Sequence, residues 1–133
     1  MDVVLLAGRI LFSALFLFSA IGHLTQADAM AGYARSKGVP FAKPATIASG
    51  IVLVVGGLSV LLGVYGEIGA ALLFLFLVPT AIIMHNFWAE TDPAAKMNTQ
   101  ISFNKDIALA GAALVLIWVF AQDPGLTITS SLL

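Results

Sequence analysis

There is no cysteine among the 133 residues, which excludes disulfides, thiolate metal sites and any Cys-x-x-Cys pair passing electrons through protein thiols. Charge is nearly as scarce. Six Lys+Arg and seven Asp+Glu amount to 10% of the chain, where a soluble domain carries about 25%. The basic residues are scattered and the net charge is −1. No clustered basic surface exists to neutralise phosphates, so no nucleic-acid partner is expected.

What fills the chain instead is apolar: 60% of residues are hydrophobic and the mean hydropathy is +1.03. Four uncharged stretches, Ile10–Ala27, Pro44–Gly66, Ile68–Ala89 and Ile107–Gln122, hold 18, 23, 22 and 16 residues. Each supplies most of a bilayer crossing of about 20 residues. Four crossings leave roughly 50 residues for connections and tails, too few for a separate soluble domain. The chain therefore reads as one all-α domain, a transmembrane four-helix bundle with helices over about 3–24, 45–64, 67–88 and 103–121. Asp2 ahead of the first stretch, Arg9 inside it and the lack of a small-x-small site near Ser19–Gly22 mark a retained helix rather than a cleaved signal.

The first helix carries Arg9, Ser13 and His23, which at 100° per residue fall at about 0°, 40° and 320° and form one stripe. A stripe holding a charge faces protein or water, so it is expected inside the bundle. The connection Thr25–Pro44 reads as a polar loop with Tyr33 as an interfacial anchor. The alternative is a short interfacial helix over Asp28–Ser36 with Met30 and Tyr33 towards lipid. In the second helix Gly50, Gly56, Gly57, Ser59 and Gly63 suit close packing, with Ser59-x-x-x-Gly63 as a small-xxx-small pair. The short link Gly63–Gly66 makes helices two and three antiparallel neighbours. Pro79 removes a donor from the third helix and should kink it. Asp92-Pro93 is a helix-start signal, opening a short surface helix near Pro93–Thr99. The last crossing then packs through Ala108, Gly111 and Ala112, and the tail Gln122–Leu133 reads as polar and frayed.

A shift of 62 residues places His23 on His85, Asp28 on Glu90 and Lys43 on Lys105. Two crossings per half give both halves the same orientation, as in two parallel helix-pair repeats. Four crossings put both termini and the Gly63–Gly66 turn on one side and both long loops on the other. The loop side holds Arg35, Lys37, Lys43, Lys96 and Lys105, so loops 25–44 and 89–103 are expected in the cytoplasm.

His23, His85, Trp88, Asn104, Lys105 and Asp106 fall at the same membrane level on that loop side. Together they can hold a polar headgroup, an anion or a quinone head, with imidazole able to exchange protons near neutrality; anchoring and capping account equally for Trp88 and Lys105. A metal at His23 and His85 has carboxylates nearby but no HxxxH or ExxH spacing, and none is expected. At the other end, Arg9 and Glu67 are expected to form a structural ion pair between helices. Glu67 and His85 stand 18 residues apart, five turns on one face of a helix and about 27 Å.

The residues Phe18-Ser-Ala-Ile-Gly-His23, Gly56-Gly57-Leu58-Ser59, His85-Asn-Phe-Trp88 and Phe103-Asn-Lys105 followed by Gly111 together resemble the DoxX family. The resemblance covers almost the whole chain, and its most specific part runs from His85 through Lys105. It departs at Leu53, where relatives often carry an acidic residue, and after His23, where Leu-Thr-Gln26 replaces Gly-x-x-Lys. The resemblance implies a small bacterial inner-membrane protein, some of whose relatives belong to oxidoreductase assemblies and quinone-linked sulfur oxidation.

Two functional readings follow. In the first, the chain is a subunit of a membrane redox system that binds a quinone or a lipid. His85 and Lys105 contact the polar head, Trp88 stacks on or anchors it, Asn104 lies beside it and His23 exchanges a proton. In the second, it is a non-enzymatic scaffold or assembly factor that docks a soluble or membrane protein partner through its loops. No self-sufficient catalytic motif is present, and the small-residue helix faces allow a homodimer.

Overall fold

A computed structural model describes residues 1–133. It contains α1 (Asp2–Thr25), α2 (Ala27–Ser36), α3 (Ala42–Leu62), α4 (Gly66–Met84), a 3-10 turn (Phe87–Ala89) and α5 (Pro93–Phe120), with no strand. The helical stretches Asp2–Thr25, Ala42–Leu62, Gly66–Ala89 and Pro93–Phe120 are long and apolar enough to cross a membrane. α1 packs on α3, α3 on α4 and α4 on α5, while α2 lies across the loop-side ends of α1 and α3. Phe16, Leu53, Val60, Leu73 and Leu77 form the sealed centre. Leu11, Phe18, Leu75 and Trp118 stand on the outside, each more than half exposed, as lipid-facing side chains do.

Several boundaries differ from the sequence reading. α2 is a helix, not a loop, and Met30 turns inward to the bundle rather than to lipid. Its run Ala-Asp-Ala-Met-Ala-Gly-Tyr-Ala buries Ala31 and Ala34 against Ala42, and small side chains let it lie flat on α3. α3 begins at Ala42, earlier than expected, because Pro44 is tolerated in a first turn. α4 stops at Met84, short of the expected residue 88. The surface helix after Pro93 and the last crossing are one helix of 28 residues, roughly 42 Å long. Asp92 caps it by accepting from the Ala95 N–H at 2.9 Å, and Pro93 occupies its first position. In the 62-residue alignment the breakers Gly38 and Pro40 fall on Gln100 and Ser102. The first half breaks into α2 and α3 there, and the second half runs on.

Small residues set the closest crossing, between α3 and α4. A Cβ on Gly56 would sit 3.2 Å from the Gly69 carbonyl oxygen, and one on Gly69 would strike the Ser59 side chain. Ser59 thus lies against Gly69 across the interface. Gly63 instead closes α3 in the left-handed region at φ 65°, donating back to Ser59. A Cβ added at Gly111 would meet nothing within 4 Å, so no close helix crossing depends on this glycine.

The tail is not frayed. The segment after Phe120 folds over the terminus end, where the Ile128 N–H donates to Leu62 and Gly63 carbonyls at 3.2 and 3.1 Å. The Thr129 N–H donates to Gly63 at 3.0 Å, and Thr129 Oγ1 accepts from the Tyr65 N–H at 2.8 Å.

Candidate functional site

On the loop side, α1, α2, α3, α4 and α5 surround a cavity of about 460 Å³. Its apolar lining includes the buried Phe16 and Leu77 together with Leu15 and Phe76, and reaches Leu75 at the lipid-facing surface. Its polar wall gathers Ser19 and His23 from α1, Tyr33 from α2, Thr46 and Ser49 from α3, Thr80 and His85 from the end of α4, and Lys105 and Asp106 from α5. An apolar chamber with a few convergent polar groups is the usual form of a small-molecule site.

Two latches hold α2 over this cavity. Tyr33 donates its phenolic proton to the Met84 carbonyl at 3.2 Å, one of the carbonyls freed where α4 ends. Lys37 donates to Asn86 Oδ1 at 2.8 Å and lies 3.5 Å from Glu90. The Lys43–Asp28 pair at 2.9 Å is largely exposed and adds little to stability.

Inside, His85 caps α4 and points Nε2 at Asp106 Oδ2, 3.3 Å away. Asp106 is 6% exposed, yet Oδ2 has no aligned hydrogen-bond donor. His23 is pinned differently. Its Nδ1 lies 2.9 Å from the Ser19 carbonyl, and its ring stands edge-on to Phe76 with centroids 6.0 Å apart. No three His, Asp or Glu side chains converge as a metal would require.

Of the five expected ligand residues, His23, His85 and Lys105 line this cavity. Trp88 and Asn104 do not. Trp88 is 54% exposed and stacks edge-to-face with Phe87 and Phe103, because the 3-10 turn after His85 swings it outward. Asn104 is exposed on α5. Sequence reasoning placed Asp106 at the right level but not in the ligand set, and it missed Tyr33, Thr46, Ser49 and Thr80. The last three look like routine helix hydroxyls, and Tyr33 was hidden by reading α2 as a loop.

At the opposite end Arg9 and Glu67 form no ion pair; Arg9 is satisfied by backbone carbonyls, and Glu67 by one backbone N–H and one serine hydroxyl. Arg9, 1% exposed, donates Nε to the Val60 carbonyl at 2.9 Å, Nη2 to Leu61 at 2.7 Å and Nη1 to Leu126 at 2.8 Å. Its guanidinium also stacks 5.6 Å from the centre of the Phe120 ring. The last four carbonyls of α3 are thereby all met: Ser59 by the turn, Val60 and Leu61 by Arg9, and Leu62 by Ile128. A cation at a helix C-terminus also complements its dipole. Glu67 Oε1 accepts from the Leu132 N–H at 2.8 Å and Ser131 Oγ at 2.9 Å. This end is a structural clasp, and the cavity is the candidate site.

Residues 4–86 match the DoxX family model. The chain is also 30% identical over 114 residues to the inner membrane protein YphA of Escherichia coli (strain K12), an alignment covering 86% of this chain and 81% of that protein. No solved structure matches.

Proposed function

This chain belongs to the DoxX family, and from that premise we propose that it is an inner-membrane subunit of a redox system that holds one amphipathic molecule, a quinone or a lipid, in the loop-side cavity. The observation that carries this reading is the cavity of about 460 Å³, which joins an apolar chamber to His23, His85, Lys105 and Asp106 at one membrane level. The tail of the ligand lies against Leu15, Phe16 and Phe76, and its head meets the imidazoles and Lys105. The basic loop residues Arg35, Lys37, Lys43 and Lys96 support an orientation with this end in the cytoplasm. Trp88, in its half-exposed aromatic cluster, serves as an interfacial anchor.

Native mass spectrometry of the protein released from lipid nanodiscs tests the proposal, with the bound molecules identified after dissociation. One stoichiometric quinone or lipid, lost from His85→Ala, is the expected result. A bare protein, or a random lipid mixture unchanged by the substitution, would transfer the function to the loops and a docked protein partner.

A further inference from the structure

The cavity is sealed below, roofed above and open at its side. Below it lies the buried centre of Phe16, Leu73 and Leu77. Above, α2 is held across the loop end by Tyr33 on the Met84 carbonyl and Lys37 on Asn86, with Tyr33 and Lys105 at the water-facing rim. At the side, Leu15 of α1 and Leu75, Pro79 and Ile83 of α4 line the cavity and also stand on the outer surface, Leu15 39% and Leu75 65% exposed. The three on α4 are spaced by four, so they form one edge running along the helix. Leu75 lies nine residues before Met84 and Leu15 ten before Thr25. Both therefore sit about 14–15 Å from the loop-side helix ends, near the middle of a hydrocarbon core about 30 Å thick. α1 has no interface with α4 or α5 like those joining α1 to α3 and α4 to α5; the stack of Arg9 on Phe120 ties it to α5 at the terminus end. Pro79 has no N–H for the Leu75 carbonyl, so α4 is least braced along this edge.

We infer that the cavity opens sideways into the bilayer through this slot and takes a long-tailed amphiphile from the membrane itself, its head among His85, Lys105 and Asp106 and its tail passing out by Leu15 and Leu75 into lipid. This deepens the proposed function and rests on it. The enclosed volume then sets no limit on the tail, because carbon beyond the slot stays in hydrocarbon, and a methylene gains nothing by moving between lipid and an apolar wall. A sealed chamber of about 460 Å³ would instead reject tails that overfill it. The ligand also enters and leaves along the slot, so side chains on its edge set the exchange rate. Tails of this kind are carried by alkylquinones and by single-chain glycerides, and the two sources differ in the head.

The test uses the full chain in nanodiscs and two homologous series of probes, alkylnaphthoquinones and monoacylglycerols, with chains from decyl to docosyl length. Occupancy at equal mole fraction in the lipid is read by native mass spectrometry. It is expected to stay within about 2-fold along the series that binds, and the series that binds identifies the source. Protein loaded in detergent and reconstituted is then mixed with empty vesicles, and release is followed in time. Leu75→Trp with Ile83→Trp narrows the slot and should slow release about 10-fold, whereas a mere loss of affinity would speed it. Leu75→Ala widens the slot and should speed release without lowering occupancy. A sharp fall in occupancy beyond one chain length overturns the inference while leaving the ligand site in place, and so does release from the double variant at the wild-type rate or faster. Failure of both series at every length overturns the proposed function itself. Should the double variant not fold, Leu75→Ala decides alone, and release at the wild-type rate overturns the slot.

Discussion

Replacing Arg9 with Met keeps an unbranched apolar stem as far as the position of Nε but removes all five donors. Three carbonyls lose their partners: Val60 and Leu61 at the end of α3, and Leu126 in the tail. A hydrogen bond from a charged donor contributes about 1.5–3 kcal/mol in soluble proteins, whereas interhelical bonds in membranes average about 0.6 kcal/mol. Three bonds then sum to between about 2 and 9 kcal/mol, with the membrane value at the low end. Burying the guanidinium opposes this, because a charge taken out of water is costly even when paired. The net expectation is a loss of about 2–3 kcal/mol, with Arg9→Lys falling between Met and the wild type because an ammonium cannot fork to adjacent carbonyls. Helix content followed by circular dichroism across an SDS titration in mixed micelles gives the free energy, and limited proteolysis reports release of residues 122–133. If Arg9→Met unfolds at the wild-type SDS fraction with a protected tail, the carbonyls have other partners and the clasp is not what holds this end.

Other consequences can be checked alongside. Gly69→Ala places a Cβ against Ser59 and should destabilise the bundle by about 1–3 kcal/mol in the same titration; Gly111→Ala, which meets nothing within 4 Å, should be neutral or stabilising by up to about 1 kcal/mol. Asp92→Ala removes the α5 cap and should cost about 1 kcal/mol, seen as faster hydrogen exchange confined to the first turns after Pro93. Tyr33→Phe breaks the bond to Met84 and should leave global stability within about 1 kcal/mol, while loosening α2 and speeding exchange of ligand from the cavity.

The four crossings were legible because each is a long uncharged run, and in lipid a helix satisfies its own backbone. Helix ends were less so, since they depend on partners distant in sequence. Nothing local in Leu126–Leu133 announces that Gly63, Glu67 and Arg9 will order it. The Arg9–Glu67 pairing failed for the same reason: charge complementarity is visible in a sequence, whereas four free carbonyls at the end of α3 are visible only once the helix stops there. His23, His85 and Lys105 were found at one level because helix length fixes height in the bilayer. Which way each faces was not, and so Trp88 and Asn104 were included while Asp106, one residue beyond Lys105, was not. Reading α2 as a loop cost the most, since this helix supplies Met30, Tyr33 and Ala34 to the cavity.

Whether the cavity is filled in the membrane can be tested in place, because the chain has no native cysteine. Thr80→Cys puts a single thiol in the cavity wall, and Ser36→Cys puts one on exposed α2. Labelling rates with membrane-permeant N-ethylmaleimide are compared in native membranes and after delipidation into detergent followed by reconstitution into synthetic lipid. With an occupant in the cavity, Thr80→Cys labels slowly in native membranes and faster once the occupant is stripped, while Ser36→Cys labels equally in both. Equal rates for Thr80→Cys before and after stripping would mean that the cavity stands empty in the membrane.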